Sequence, residues 1–345
     1  MRLFATVLAI VSIGFSITAA QAYEPESGLW WNPAESGTGY TIEVQDDFMA
    51  VTIFSGGPNG EAKWYLAAGL LDRNAYFEAD LLSFYAVQPI GRPYRGEPRE
   101  EPSYGRLKIV FDPDDNRRAT LTWPNGRSVP IQRQEFYFVR VEDDIGVWPE
   151  VTRMLGEWQF TIDLSANPDV DHPYSGDVVV FDEYDRDMDG WYYEGCRPDD
   201  AQVGGCSNYA LIYHDAVGYF EAPTGLHLHL VKDGIYGNQQ WYALYLMQMG
   251  TNDGSGEFVL YPKGGNPDYY DAYPARTFRT ASRTFVQEGV GPAKRNKPGR
   301  AQGLAAQMAA QGGLPTAAKT ATRSRFDRAA LQPRIRELEA RLQAE

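Results

Sequence analysis

A short acidic stretch contains the residue types most typical of a metal site. Asp185, Asp187 and Asp189 stand at alternate positions and are followed by Gly190. Calcium loops place oxygen ligands at positions 1, 3 and 5, because Ca²⁺ is a hard cation that takes several oxygens. The twelfth position, a bidentate glutamate in an EF-hand, is Cys196 here, so an EF-hand is excluded. A shorter calcium loop and a simple acidic hairpin turn both stay open, and calcium is the cofactor that this stretch suggests.

Two histidines form a second candidate for metal binding. His227 and His229 lie in an alternating segment, so an extended backbone places both imidazoles on one face, a geometry that zinc sites use. The leucines at 226, 228 and 230 explain the same alternation as a half-exposed strand with a polar face. A metal site also needs a third ligand, which the sequence does not place.

Motifs of the common hydrolases and phosphate-binding proteins are absent from the sequence. It contains no G-x-S-x-G, Ser-x-x-Lys, H-E-x-x-H or glycine-rich phosphate loop. Acid pairs such as Glu35 and Glu43 could cleave glycosides, but 46 acidic residues produce such pairs by chance. We therefore favour a non-catalytic binding protein, with a hydrolase of envelope or extracellular polymer as the alternative.

Aromatic residues are numerous in the chain, with 8 Trp, 22 Tyr and 16 Phe, and their rings could bind a ligand. Neighbouring residues of a strand face opposite sides, so of two adjacent tryptophans one can enter a core while the other meets a ligand. Exposed aromatic faces flanked by polar groups suit carbohydrates or other small polar molecules. The predicted ligand-binding residues are Trp30, Trp31, Glu35, Tyr40, Trp64 and Tyr65.

Short strands and turns must position these residues in a first module over residues 23–142. Asn32-Pro33 breaks the strand that contains the two tryptophans, and Gly37-x-Gly39 allows the chain to turn back. Segments 48–54 and 63–69 flank a glycine-rich turn, and Asn125-Gly126 separates two further alternating runs. These are hairpin signals, so we predict an all-β fold of antiparallel barrel or sandwich modules.

A second β module is predicted over residues 150–286. Gly156-Glu157-Trp158 repeats the Gly-x-Trp pattern of Gly28 to Trp30 at the start of a strand. Cys196 and Cys206 are the only cysteines. Their even number and close spacing predict a disulfide in an oxidising compartment.

The C-terminal part of the chain differs in composition. Residues 287–325 lack aromatics and are rich in Ala, Gly, Gln and basic residues, which predicts a disordered linker. Leu331, Ile335, Leu338 and Leu342 then follow at helical spacing, so residues 326–345 are predicted to form a short amphipathic helix.

The N-terminal residues 1–22 are typical of an export signal. Arg2 precedes an apolar run from Leu3 to Ile17, and Ala20-Gln21-Ala22 is a small-residue cleavage site. No later apolar run is long enough for a transmembrane segment. The expected location is the periplasm or the exterior.

Charge limits the choice of partners. Residues 1–280 carry 20 Lys and Arg against 41 Asp and Glu, whereas residues 281–345 carry 12 against 5. An acidic body repels phosphate, which argues against nucleic acid. The expected partner is a carbohydrate or an envelope component, and an alternative is a structural or assembly protein that acts through its basic tail.

The first module resembles a group of exported, mostly uncharacterised bacterial proteins that share a WWNPxESGxG segment. The matching residues here run from Trp30 to Gly39, then from Gly60 to Tyr65, then Arg133-Gln134-Glu135-Phe136. This resemblance covers residues 28–138 and implies export, without an activity that could be transferred. Gly-x-Trp followed by hairpins is also similar to lipocalin and avidin barrels, which implies a closed or nearly closed β-barrel.

Overall fold

Two eight-stranded antiparallel barrels make up the fold of this chain in a computed structural model. They belong to two compact units, Met1–Arg133 and Gln134–Glu345. The all-β prediction is therefore confirmed. The structure describes residues 24–57, 59–113, 115–135, 146–188, 190–197, 206, 215–222, 224–282, 303–317 and 324–344. The predicted export signal over residues 1–22 lies outside these ranges.

The first barrel follows the chain order closely. Its strands are β1 (Gly28–Trp31), β2 (Gly39–Gln45), β3 (Phe48–Gly56), β4 (Ala62–Asp72), β5 (Tyr76–Asp80), β6 (Leu82–Tyr85), β7 (Arg99–Glu100), β8 (Arg106–Phe111), β9 (Arg118–Thr122) and β10 (Ser128–Arg133). Strand β10 returns to β1 and closes the wall, while β6 and β7 extend from β4 as a side branch. Every strand of the wall pairs with its neighbours antiparallel.

Alternating side chains fill the interior of the first barrel. In β8, for example, Leu107, Ile109 and Phe111 are buried while the residues between them are exposed. The buried residues form one continuous apolar cluster that includes Trp30 and Phe77. An eight-stranded barrel is just wide enough to be filled in this way. A ligand site on this unit is therefore expected on the outer face or at a rim.

The second barrel is a simple meander. Helix α1 (Pro149–Met154) precedes β11 (Gly156–Asp163), β12 (Tyr174–Arg186), β13 (Trp191–Cys196), β14 (Ala216–Glu221), β15 (Leu226–Tyr236), β16 (Gln239–Met249), β17 (Asp253–Pro262) and β18 (Ala272–Ser282). Consecutive strands pair, and β18 pairs with β11 to close the wall. The predicted disulfide between Cys196 and Cys206 is confirmed.

Two C-terminal helices, α2 (Leu304–Ala310) and α3 (Arg328–Ala344), pack on the second barrel. The predicted C-terminal helix is thereby confirmed. Its stripe of Leu331, Ile335, Leu338 and Leu342 is buried in one apolar cluster with outward-facing leucines of β15 and β16. The stripe is therefore engaged within its own unit. No helix among the described residues is long and apolar enough to cross a membrane.

Helix α2 departs from the disorder predicted for residues 287–325. Leu304, Ala305 and Met308 are buried in the interior cluster of the second barrel. The Asp233 carboxylate accepts hydrogen bonds from the backbone N–H groups of Leu304 and Ala305, at 2.7 and 2.6 Å. A run rich in Ala, Leu and Met forms helix readily once a distant part of the chain supplies an apolar surface and a cap. Residues 287–302 and 318–323 lie outside the described part.

Candidate functional site

A line of residues crosses the outer face of the first barrel. Trp31 of β1 is paired with Gly39 of β2, Gly39 with Phe54 of β3, and Phe54 with Trp64 of β4. Directly paired residues point to the same side of a sheet, so these four form one row, called here the outer aromatic row. Phe54 is 52% exposed and Trp64 is 37% exposed, whereas Trp31 is half-buried.

Gly39 opens a notch in the outer aromatic row. A Cβ atom built on Gly39 meets no other atom within 4 Å, so the space above it is open. Gly39 does not have a positive φ, so its backbone conformation does not require glycine. The missing side chain leaves a gap two strand spacings wide, about 10 Å, between the backbones that carry Trp31 and Phe54.

Trp64 is held in place from its far side. Its ring stacks on that of Phe84 in β6, with a centroid distance of 5.2 Å and an interplanar angle of 23°. Phe84 itself is half-buried. A stacked neighbour restricts the rotamers of Trp64, which lowers the entropy that a ligand must remove on binding.

The other predicted aromatics form a parallel row on the inner face. Trp30 is paired with Tyr40, Tyr40 with Ile53, and Ile53 with Tyr65. All four are buried, and Trp30 Nε1 donates to the Glu26 carbonyl at 2.9 Å. The two adjacent tryptophans therefore belong to opposite faces, as expected. The rings of Trp30, Tyr40 and Tyr65 lie in the core.

Glu35 lies in the turn between β1 and β2, where it forms an ion pair with Arg127 of the β9–β10 hairpin. Burial raises the pKa of nearby Tyr40 to about 12, with the Glu35 charge adding to the rise and Arg127 opposing it. Tyr40 therefore keeps its proton at neutral pH. The pair joins two turns at one rim of the barrel, so Glu35 has a structural partner in addition to its predicted role in ligand binding.

A charged cluster that the sequence did not reveal joins β4 to the segment around β7. Lys63 Nζ lies 2.6 Å from Glu101 Oε2 and 3.0 Å from the Tyr104 hydroxyl, and Ser83 also donates to Glu101. Hydrogen bonds from Lys63, Ser83 and Tyr104 lower the pKa of Glu101 to about 2, and the same contacts raise that of Lys63. A lysine held in its charged form is not a general base for Ser83, so the cluster serves to hold the segment.

The acidic stretch contacts the C-terminal helix. Arg341 of α3 lies 2.8 Å from Asp185, 3.8 Å from Asp187 and 3.8 Å from Glu194, measured between guanidinium nitrogens and carboxylate oxygens. Its guanidinium also covers the ring of Tyr192, 4.1 Å from the centroid. Asp189 lies outside the described residues. Within the described ranges no group of three or more metal-ligating side chains is found.

The two histidines lie inside the second barrel, which differs from the polar, half-exposed face expected for them. His227 and His229 are both buried, with a ring centroid distance of 6.1 Å. Tyr193 forms a hydrogen bond of 3.1 Å with His227 Nδ1. Neither ring nitrogen of His229 has a hydrogen-bond partner among the described residues, and burial lowers the pKa of His229 to about 3. Helix α3 covers the opposite face of the strand, which buries both sides.

A polar network in the second barrel anchors helix α2. Arg197 lies 2.8 Å from Asp177 and 2.8 Å from Asp233, and the Tyr245 hydroxyl donates to Asp177 at 2.7 Å. Because Asp233 also caps α2, this network connects the helix to the barrel interior. Charges that are paired and hydrogen-bonded in this way are the form in which ionic groups are tolerated in a core.

Comparisons with known proteins identify no family. No protein-family model matches the sequence, and no curated protein matches it. A solved structure that was found, described as a "putative outer membrane protein" from Bacteroides fragilis, is 10% identical in sequence. The match covers 74% of this chain and 97% of that chain, with a TM-score of 0.18.

Proposed function

We propose that this protein is an exported, non-catalytic binding protein that holds carbohydrate on the outer face of its first barrel. The observation that carries the proposal is the outer aromatic row, in which Phe54 and Trp64 are exposed and Gly39 leaves an open notch beside Trp31. Contiguous exposed apolar surface marks interaction sites on soluble proteins, and Phe54 and Trp64 are directly paired on neighbouring strands.

The chemistry of the row suits sugar rings. One face of a pyranose is apolar and stacks on an aromatic ring, while its hydroxyl groups need hydrogen-bond partners at the edge. Thr41 and Thr52 form the neighbouring pair on the same face, one step along the strands from Gly39 and Phe54. A pair of hydroxyl side chains therefore lies next to the exposed aromatic rings on the same face, which supports a carbohydrate as the ligand.

Location outside the cytoplasm is part of the proposal. It is supported by the signal pattern of residues 1–22 and by the Cys196–Cys206 disulfide, because disulfides persist in oxidising compartments. A carbohydrate of the envelope or the exterior would be accessible to a protein in that location.

The test is a pull-down of the mature protein on insoluble polysaccharides, with released sugars assayed in the same tubes. The double variant Phe54→Ala/Trp64→Ala removes the exposed rings, and Tyr76→Ala serves as a control because Tyr76 is also 37% exposed but lies on β5. We expect binding to be lost in the double variant and kept in the control. Equal binding by both variants would overturn the proposal, and sugar release by the unaltered protein would make it an enzyme.

A further inference from the structure

We infer that the ligand is an extended polysaccharide without acidic groups, lying along the outer face of β3 and β4 and contacting an apolar pair of side chains at each end. This inference rests on the proposed function, because it uses the same outer face and starts at the outer aromatic row. It adds a second contact region, a minimum length for the ligand and the requirement that the ligand carries no acidic groups.

The second apolar end lies at the other end of the same strands. Phe48 of β3 is paired with Leu70 of β4, and the two side chains are 49% and 67% exposed. Phe48 and Phe54 are six residues apart on one strand, so both face outward at a separation of about 20 Å. The pair Phe54 and Trp64 therefore has an apolar counterpart at a distance that spans several sugar rings.

The outward side chains between the two ends are aliphatic or carry a hydroxyl group. Thr52 is paired with Leu66, and Ala50 with Ala68, and all four point outward. None of these side chains is aromatic, whereas Phe54, Trp64 and Phe48 stand at the ends. The result is a strip along β3 and β4 with an aromatic-containing apolar pair at each end, called here the β3–β4 strip. A monosaccharide or disaccharide reaches one end only, whereas an extended polymer contacts both.

Hydroxyl and carboxylate groups lie beside the β3–β4 strip on its β2 side. Thr41 and Glu43 are paired with Thr52 and Ala50 and point to the same face. Asp46 and Asp47 form the exposed turn that leads into Phe48. These carboxylates repel the negative groups of uronic acids and sugar phosphates, so a polymer of either is disfavoured. Neutral or amino sugars match this edge, because they can donate hydrogen bonds to its oxygens.

The experiment is affinity electrophoresis, which measures how strongly a polysaccharide in the gel retards the full chain. The gels contain xylan, hydroxyethylcellulose, glycol chitosan or alginate. Three double variants are compared with the unaltered protein. Phe54→Ala/Trp64→Ala removes the outer aromatic row, and Phe48→Ala/Leu70→Ala removes the far end. Val110→Ala/Thr120→Ala is the control, because this exposed cross-strand pair lies on β8 and β9, away from β3 and β4.

We expect retention in at least one non-acidic gel, weak or no retention by alginate, and about a tenfold loss of affinity in each of the first two variants. Oligomers of two sugar units prepared from the retained polysaccharide should bind the Phe48→Ala/Leu70→Ala variant as they bind the unaltered protein.

The inference fails if alginate binds best, or if only the Phe54→Ala/Trp64→Ala variant loses retention while the far-end variant equals the control. The proposed function itself fails if no polysaccharide retains the protein, or if the Phe54→Ala/Trp64→Ala variant is retained like the control.

Discussion

Trp31 and Trp64 lie at the same level of one barrel wall, joined through the paired residues Gly39 and Phe54. They are 33 positions apart in the sequence, and the register of three successive hairpins places them in one row. Because Gly39 has open space above it, the row is interrupted by a notch next to Trp31. A ligand ring that enters this notch would contact aromatic side chains on two sides, which is the basis of the first prediction.

Gly39→Val should separate folding from binding. Glycine within a strand costs about 0.5–1 kcal/mol relative to residues with a side chain, and the space above Gly39 accepts one. We therefore expect urea unfolding to give equal or greater stability, together with a large loss of affinity for the retained polysaccharide. Thr120→Val on β9 introduces the same side chain elsewhere and should leave affinity unchanged. Unchanged affinity in Gly39→Val would mean that the notch is not part of the site.

Features of the site that depend on neighbouring residues could be predicted from the sequence, whereas features that depend on how distant strands align could not. The opposite faces of Trp30 and Trp31 follow from strand geometry alone, which is why that expectation holds. The alignment of Trp31 with Trp64 depends on the register of three successive strand pairs, β1–β2, β2–β3 and β3–β4. Register follows from turn lengths, which sequence patterns place only approximately. Phe54 and Trp64 are equally far from the turn centred near residue 59, and this symmetry is the feature of the sequence that indicates their pairing.

Tertiary packing explains why the structure differs from two expectations, the half-exposed strand of the histidines and the disorder of residues 287–325. Leu226, Leu228 and Leu230 alternate with the histidines, and a half-exposed strand and a strand buried on both faces give the same pattern of residues. Helix α3 decides between them, because it covers the leucines from a position about a hundred residues later. Helix α2 was likewise missed because its cap, Asp233, and its apolar surface lie in a different part of the chain.

Leu338→Ala should destabilise the second barrel strongly. Leu338 is fully buried between helix α3 and the outer face of the barrel, and truncating a buried leucine costs about 2–5 kcal/mol. Arg336→Ala on the exposed side of the same helix is the matched control and should change stability by less than about 0.5 kcal/mol. Urea unfolding of both variants checks the prediction. A loss in Leu338→Ala as small as in the control would show that the helix adds little to this unit.

Arg341→Ala tests the relation between the C-terminal helix and calcium. Asp185, Asp187 and Glu194 are partly neutralised by the Arg341 guanidinium, which a cation at these carboxylates would have to displace. We expect millimolar Ca²⁺ to raise the melting temperature of Arg341→Ala and EDTA to reverse the rise. The unaltered protein should respond less. Arg336→Ala again serves as the control, and identical responses in all three proteins would remove calcium from consideration.

His229 predicts how stability depends on pH. The pKa of His229 is lowered by burial to about 3, whereas an unfolded histidine titrates near its ordinary value of 6.5. Between these two values the unfolded chain binds a proton that the folded chain does not, so stability falls as pH falls. The slope contributed by this group is about 1.4 kcal/mol per pH unit, or about 2 kcal/mol between pH 6.5 and pH 5.

His229→Leu should remove this contribution, because leucine is similar in size and has no proton to bind. The His229 ring is buried against the rings of Phe160, Phe181 and Tyr193. Because an apolar side chain suits these surroundings better than a polar one, the variant should be at least as stable as the unaltered protein at pH 7. His172→Leu is the matched control, because His172 is exposed. Urea unfolding at pH 7 and pH 5 gives the comparison. If His229→Leu loses as much stability on acidification as His172→Leu, then His229 is protonated inside the folded barrel, and its imidazole has a partner or a solvent path that lowers the cost of the charge.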